Sequence, residues 1–237
     1  MRKEEVKRLK RWKIAQEAER KVWSDPKRAL KDPKGWMTFL KSNFGLDNSL
    51  RLIEKGVTVE IGCGPHGVIH FVDYSEEFMV GLDSEPYLNA WKNFHIRIPH
   101  IVAVGEFLPL HGDTIDVIVC FNVLDHVFDP EKVVDEISRV LKRNGKLLLW
   151  VVTIRDFLRK LKVVLDKIDR PHPHHLTSQD ILNFLQNSGL EISTVSKKNF
   201  QKGNRFFSFT RSIFSGRFKV AAANFLVCNT YIIAEKR

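Results

Sequence analysis

Val57-Thr58-Val59-Glu60-Ile61-Gly62-Cys63-Gly64-Pro65-His66-Gly67 is the stretch whose reading decides the fold. A β-branched run, apolar at alternate positions up to Ile61, breaks into a glycine-rich turn. It reads as a buried strand feeding a tight loop and then a helix. Gly62, Gly64 and Gly67 permit positive φ and let the backbone approach a ligand closely. Loops of this kind, at the C-terminal ends of strands, are where nucleotide-like ligands bind in open α/β sheets.

Gly62-x-Gly64-x-x-Gly67 also satisfies the dinucleotide fingerprint, which alone is a weak signal. Glu60, two residues before the first glycine, says more. A carboxylate is unwelcome beside a pyrophosphate. It suits S-adenosylmethionine, which has no phosphate and carries a sulfonium and an ammonium. Glu60-x-Gly62-x-Gly64 resembles the first motif of the class I S-adenosylmethionine-dependent methyltransferases.

The chain downstream extends the resemblance. Phe78-Met79-Val80-Gly81-Leu82-Asp83 reads as a second strand ending in an acid, 21 residues after Gly62. An acid there can accept hydrogen bonds from both ribose hydroxyls. The alternative is a helix cap, since Asp83-Ser84-Glu85-Pro86 suits a helix start. Pro99 to Val104 reads as a third strand, followed by Gly105-Glu106-Phe107-Leu108-Pro109-Leu110, similar to the family segment that borders the adenine. The family often has an acid where this chain has Val104, which leaves backbone groups of Gly105 and Glu106 to serve, or Glu106 to orient the loop. Asp116 to Phe121 is a buried fourth strand ending in Asn122-Val123-Leu124-Asp125-His126-Val127, again similar to small-molecule methyltransferases. Asp129-Pro130-Glu131 opens a helix with the apolar stripe Val133, Val134, Ile137, Val140 and Leu141, closed by Arg143-Asn144-Gly145. A fifth strand runs from Lys146 to Val152, a sixth from Leu190 to Val195, and a last from Phe225 to Ala234. Between them, residues 155–168 have the pattern of an amphipathic helix, and Thr177-x-x-Asp180 is a capping box for a helix from Ile181 to Ser188.

The expected fold is a Rossmann-like α/β three-layer sandwich. Its seven-stranded, mostly parallel sheet has an antiparallel last strand, and an N-terminal helical extension precedes it. Residues 1–55 form that extension, a cap or lid, residues 56–237 the catalytic domain, and residues 153–176 an insertion near the acceptor site. Val6, Leu9, Ile14 and Ala18, with Trp12 nearby, give the first helix an imperfect apolar stripe, and Trp36, Phe39, Leu40 and Phe44 anchor further helical pieces. Such helices either cover the cofactor, as the resemblance implies, or merely pack.

Site roles follow from the resemblance. Glu60 and the backbone of Gly62, Cys63 and Gly64 would hold the methionine end of S-adenosylmethionine. Asp83 and Ser84 would hold the ribose, Gly105 and Glu106 would border the adenine, and Phe121 and Asn122 would line the route to the methyl group. Neutral histidine can take a proton from a hydroxyl near neutral pH. His126, His174 and His175 are the candidates, with loop-holding as the alternative for each. His172, His174 and His175 cluster without cysteine partners nearby, so no metal is expected there.

The 237 residues carry a net charge of +10, unevenly placed. Residues 1–56 hold +8, residues 57–196 hold −6 and residues 197–237 hold +8. The basic ends suit a nucleic acid or an anionic surface, or form solvated faces. A small-molecule acceptor is expected, the alternatives being an RNA methyltransferase or a non-catalytic RNA-binding protein that uses the basic ends. The basic, Phe-containing segment Lys197 to Lys219 could bind single strands. An NAD-dependent oxidoreductase could use the same glycines and Asp83, though Glu60 and the Asn122–His126 stretch argue against it. No membrane span is expected, since no apolar run reaches about eighteen residues. Charges occupy the first residues, where a signal peptide needs an apolar core. The three cysteines make neither a disulfide framework nor a metal spacing, so a cytoplasmic setting is expected.

Overall fold

The computed structural model describes residues 3–23, 33–46, 56–71, 77–84, 98–162, 172–199 and 226–237. All seven expected strands join one sheet. They are β1 (Gly56–Ile61), β2 (Glu77–Asp83), β3 (His100–Val102), β4 (Ile115–Phe121), β5 (Leu141–Ile154), β6 (Leu190–Asn199) and β7 (Val227–Lys236). Their order is β3-β2-β1-β4-β5-β7-β6. β7 runs antiparallel to both its neighbours, while the pairings from β3 across to β5 are parallel. The last strand is therefore inserted between β5 and β6.

Period-two alternation sorts side chains between two layers. On β4, Ile118 and Cys120 join Val133, Val134 and Ile137 of helix α3 (Pro130–Val140) and Ile181 and Leu185 of helix α4 (Ser178–Asn187). Val117, Val119 and Phe121 face the other way, into Trp36, Leu40 and Phe44 of helix α2 (Pro33–Phe44). That second layer is aromatic. Phe121 stacks on Phe44 and Trp36 at centroid distances of 5.2 and 6.1 Å, and Phe39 meets Trp150 edge-on at 5.1 Å. The anchors expected of this helix are the ones it uses.

The expected caps form. The Asp129 side chain accepts from the Lys132 amide at 3.4 Å, with Pro130 in the first turn of α3. At α4 the Thr177 hydroxyl accepts from the Asp180 amide at 3.2 Å, and Asp180 accepts from the Thr177 amide at 2.8 Å. The expected turn Arg143-Asn144-Gly145 falls inside β5 instead, where Asn144 takes φ of 64° at the register shift that separates Leu141 opposite Ile115 from Lys146 opposite Val117.

Three further expectations change. The helix expected after the glycine loop is two short 3-10 turns, Gly64–His66 and Val68–His70, because Glu60 claims amides of that segment. Of the helix expected over 155–168, the described part is a 3-10 turn, Asp156–Leu161, and residues 163–171 lie outside the described residues. Helix α1 (Lys3–Trp23) forms, but Val6 and Ile14 of its expected stripe are exposed and Ala15 is the buried residue. Of the basic segment, Lys197 to Asn199 end β6 and residues 200–219 lie outside the described residues, as does the chain after Ser84 where a helix start was expected. Among the described residues no helix is long and apolar enough to cross a membrane.

Candidate active site

Strand order reverses at β1, whose neighbours β2 and β4 lead the chain to opposite sides of the sheet. Open α/β sheets bind ligands in the crevice this creates. A cavity of about 440 Å³ occupies it. Its floor is the end of β1 and the glycine loop, Ile61 to Gly64. Asp83 and Ser84 reach it from β2, Val104 to Glu106 from beyond β3, and Phe121 and Asn122 from β4. All ten residues expected to hold the cofactor line this one cavity.

The loop is built to bring backbone close. Gly62 has φ of 70°, and a Cβ on it would fall inside the Val123 side chain. Its amide and that of Cys63 both donate to the Leu82 carbonyl, at 2.7 and 3.2 Å. The Gly64 amide donates to Asp83 Oδ2 at 3.0 Å. Gly67 is needed for a different reason than expected. Its φ is −58°, within reach of any residue, but a Cβ there would lie 2.5 Å from Glu60 Oε2.

Glu60 is 2% exposed. Its two oxygens accept from the Val68 and Ile69 amides at 3.2 and 2.8 Å. The carboxylate thus shapes the loop as well as lining the cavity. Glu106 likewise accepts from the Phe128 and Asp129 amides, at 2.7 and 3.0 Å, and so holds the entry to α3. Loop orientation, the alternative reading of Glu106, is what its hydrogen bonds do. Burial, with Glu60 and Asp83 adding to it, pushes the Cys63 thiol well above its ordinary pKa.

Charge in the cavity runs against the charge of the chain. Glu19, Glu60, Asp83 and Glu106 line it, and no lysine or arginine does among the described residues. In a low-dielectric crevice this favours a cation and opposes a pyrophosphate.

Of the three candidate histidines, His126 lines the cavity; His174 and His175 do not. His126 lies with Nδ1 3.7 Å from Glu19 and Nε2 3.6 Å from Asp125. His174 donates from Nε2 towards the carbonyls of Val127 and Phe128, at 2.9 and 3.2 Å, and so ties its segment to the loop after β4. Burial, more than these carbonyls can offset, keeps its pKa below the ordinary value, and nearby Arg8 and Arg11 push the same way. The folded chain therefore binds this proton less readily than the unfolded chain does. Stability is full above about pH 6.5, the ordinary histidine value, and declines as pH falls through it. Denaturant titrations between pH 7.5 and 5 should show that decline, and His174→Gln should flatten it.

The roof comes from the N-terminal extension, through Gln16 and Glu19, which have no role in the sequence reading. Trp12, Gln16 and Glu19 of α1 close over the cavity, with Trp36 and Trp150 at its side. Gln16 donates to the His126 carbonyl at 2.8 Å and accepts from the Ser84 hydroxyl at 3.3 Å. Arg8 and Arg11 donate to the carbonyls of Phe128 and His172 at 3.2 and 2.9 Å. These are polar contacts, which an apolar stripe does not reveal.

Comparison with known proteins agrees with this architecture. Residues 59–149 match the model of a methyltransferase domain. An uncharacterised protein of Methanocaldococcus jannaschii is 31% identical over 117 residues, which are 47% of this chain and 52% of that protein. The chain thus spans about half the length of that relative. The ubiquinone biosynthesis O-methyltransferase of Coxiella burnetii is 20% identical over 202 residues, covering 77% of this chain and 82% of that one. Among solved structures, geranyl diphosphate C-methyltransferase from Streptomyces coelicolor, in complex with Mg2+, geranyl diphosphate and S-adenosyl-L-homocysteine, aligns with a TM-score of 0.64 at 13% identity. It covers 86% of this chain and 79% of that one. The matched segment carries the glycine loop and most of the residues that line the cavity, and over it the chain is similar to a methyltransferase domain on a fold shared with solved methyltransferases.

Proposed function

We propose that this protein methylates a small molecule, using S-adenosylmethionine, in a cytoplasmic setting. The observation that carries the reading is the acidic lining of the switch-point cavity in a chain of net charge +10. Bound S-adenosylmethionine supplies an electrophilic methyl group on a sulfonium, which the acceptor's nucleophilic atom takes by in-line displacement as S-adenosylhomocysteine leaves. The protein's part is alignment and exclusion of water. Glu60, with the Gly62–Gly64 backbone, holds the ammonium and sulfonium end. Asp83 and Ser84 take the ribose hydroxyls, and Val104, Gly105 and Glu106 border the adenine. Phe121 and Asn122 flank the methyl route, and Trp12, Trp36 and Trp150 give the acceptor side an apolar wall suited to a small, partly apolar molecule. His126 stands where it can take the acceptor's proton, its charge then balanced by Asp125 and Glu19.

Equilibrium binding of S-adenosylhomocysteine against NADH tests the reading. Binding of the first and not the second is expected, and the reverse would overturn it. Asp83→Ala should weaken S-adenosylhomocysteine by about 1–3 kcal/mol, the cost of leaving hydrogen-bonding groups without their partner. An unchanged dissociation constant would leave Asp83 as no more than a support for the Gly64 amide.

A further inference from the structure

Cys63, His70 and His100 converge from three pieces of chain: the glycine loop, the 3-10 turn after it and the start of β3. The cysteine sulfur and one ring nitrogen from each histidine lie within 4.8 Å of one another. The two imidazoles are stacked, 5.1 Å between centroids and 19° from parallel. Neither histidine lines the cavity, and nothing in the proposed methyl transfer uses them.

The hydrogen bonds fix the tautomers. His70 Nε2 bonds the Gly64 carbonyl at 3.0 Å, and His100 Nδ1 bonds the Ile98 carbonyl at 3.0 Å. A carbonyl only accepts, so each of these nitrogens carries the proton. The lone pairs therefore sit on His70 Nδ1 and His100 Nε2. Metal-ligating histidines are held in this way, with the second N–H donated to a carbonyl that sets ring orientation.

The sheet makes room for the cluster. Gly81 on β2 is the register partner of His100 on β3. A Cβ at Gly81 would lie 2.8 Å from Cys63 Sγ and 2.9 Å from His100 Nε2. Only a residue without a side chain lets that sulfur and that nitrogen meet over the strand.

We propose that Cys63, His70 and His100 form a three-ligand zinc site that ties the glycine loop to β3. One thiolate and two imidazoles are a donor set for zinc and a poor one for magnesium or calcium. Zinc bonds of about 2.3 Å to sulfur and about 2.0–2.1 Å to nitrogen require the donors to draw in by roughly an ångström. His70 and Cys63 sit on a turn and a loop that can supply that movement. On binding, the Cys63 S–H bond breaks, its proton passes to solvent and a zinc–sulfur bond forms, with no change of oxidation state. The fourth position is left to water or to a group entering from the cavity, which Cys63 also lines. The ion's charge would be met by Glu60 and Asp83, both close enough to act on the thiol. The site stands whether or not the cavity takes S-adenosylmethionine.

The test uses the full chain, stripped with a chelator, then titrated with zinc in competition with a chromophoric chelator and separately loaded with cobalt(II). One equivalent of zinc per chain is expected, and a cobalt spectrum with a thiolate-to-metal charge-transfer band. Cys63→Ser should remove that band. His100→Ala should weaken zinc by about 100-fold or more, and His70→Gln gives the same reading if His100→Ala does not fold by circular dichroism. No stoichiometric zinc in the parent chain would overturn the proposal by itself. A cobalt complex without the thiolate band would also overturn it, pointing instead to Asp125, His126 and His172, whose donor atoms also come within 4.8 Å of one another. So would a folded His100→Ala that binds zinc as the parent does.

Discussion

Gly64→Asp should abolish binding of S-adenosylhomocysteine, a loss of about 100-fold or more, while leaving the fold largely intact. Gly64 has φ of 45°, and aspartate is among the residues that tolerate this region. A Cβ there finds room, since its nearest neighbour is Asp83 Oδ2 at 3.9 Å. Binding is where the harm falls. The new carboxylate projects beside Asp83, and two such charges at about 4 Å repel by roughly 4 kcal/mol at an effective dielectric of 20. The pair is relieved only by protonation or by swinging into the space a ribose would take. Calorimetric titration reads the loss, and a melting temperature close to the parent's shows the fold kept. Parent-like binding would mean that the loop does not hold the cofactor. Gly64→Ala separates the causes, because it carries the backbone strain without the charge.

The second large effect is on stability. Glu60 is buried, and both its oxygens hold backbone amides of the turn that follows the loop. Glutamine keeps the volume but has one acceptor oxygen. Its NH2 would face an amide N–H that also donates. Hydrogen bonds to a charged group contribute about 1.5–3 kcal/mol each, and a buried donor left unsatisfied costs about as much. Glu60→Gln should therefore lower unfolding free energy by about 2–4 kcal/mol, read as a shift in denaturant midpoint. It should also weaken S-adenosylhomocysteine by at least about tenfold, because loop shape and cation attraction fail together. Unchanged stability would show that Val68 and Ile69 find other acceptors.

The same residue shows where sequence reasoning works and where it stops. That Glu60 belongs at the cofactor crevice follows from its place before Gly62, and the cavity contains it. That it also winds the next segment into 3-10 turns does not, because the hydrogen bonds are made eight and nine residues away. Strands and caps were legible because their signals are local. Alternation marks β4, and Asp129-Pro130 and Thr177-x-x-Asp180 carry their partners within one turn. β7 is legible as a strand, but its insertion between β5 and β6 is a matter of pairing across the chain. The face of α1 is misread for a different reason. Helical periodicity weighs apolar residues, whereas this helix docks through Arg8, Arg11 and Gln16 around a small buried Ala15. His174 resembles a base in sequence, whereas in the fold its Nε2 is held by two carbonyls, outside the cavity.

The way α1 is fastened bears on turnover. Arg8, Arg11 and Gln16 hold it to main-chain oxygens, the two guanidinium bonds contributing about 1.5–3 kcal/mol each and the amide bond about 1 kcal/mol. A helix fastened by such exchangeable polar contacts would be suited to opening on the microsecond-to-millisecond scale of lid motions. Opening would uncover the buried Ala15 and part the Trp12–Phe128 contact, and would give a spent cofactor and a product a way out.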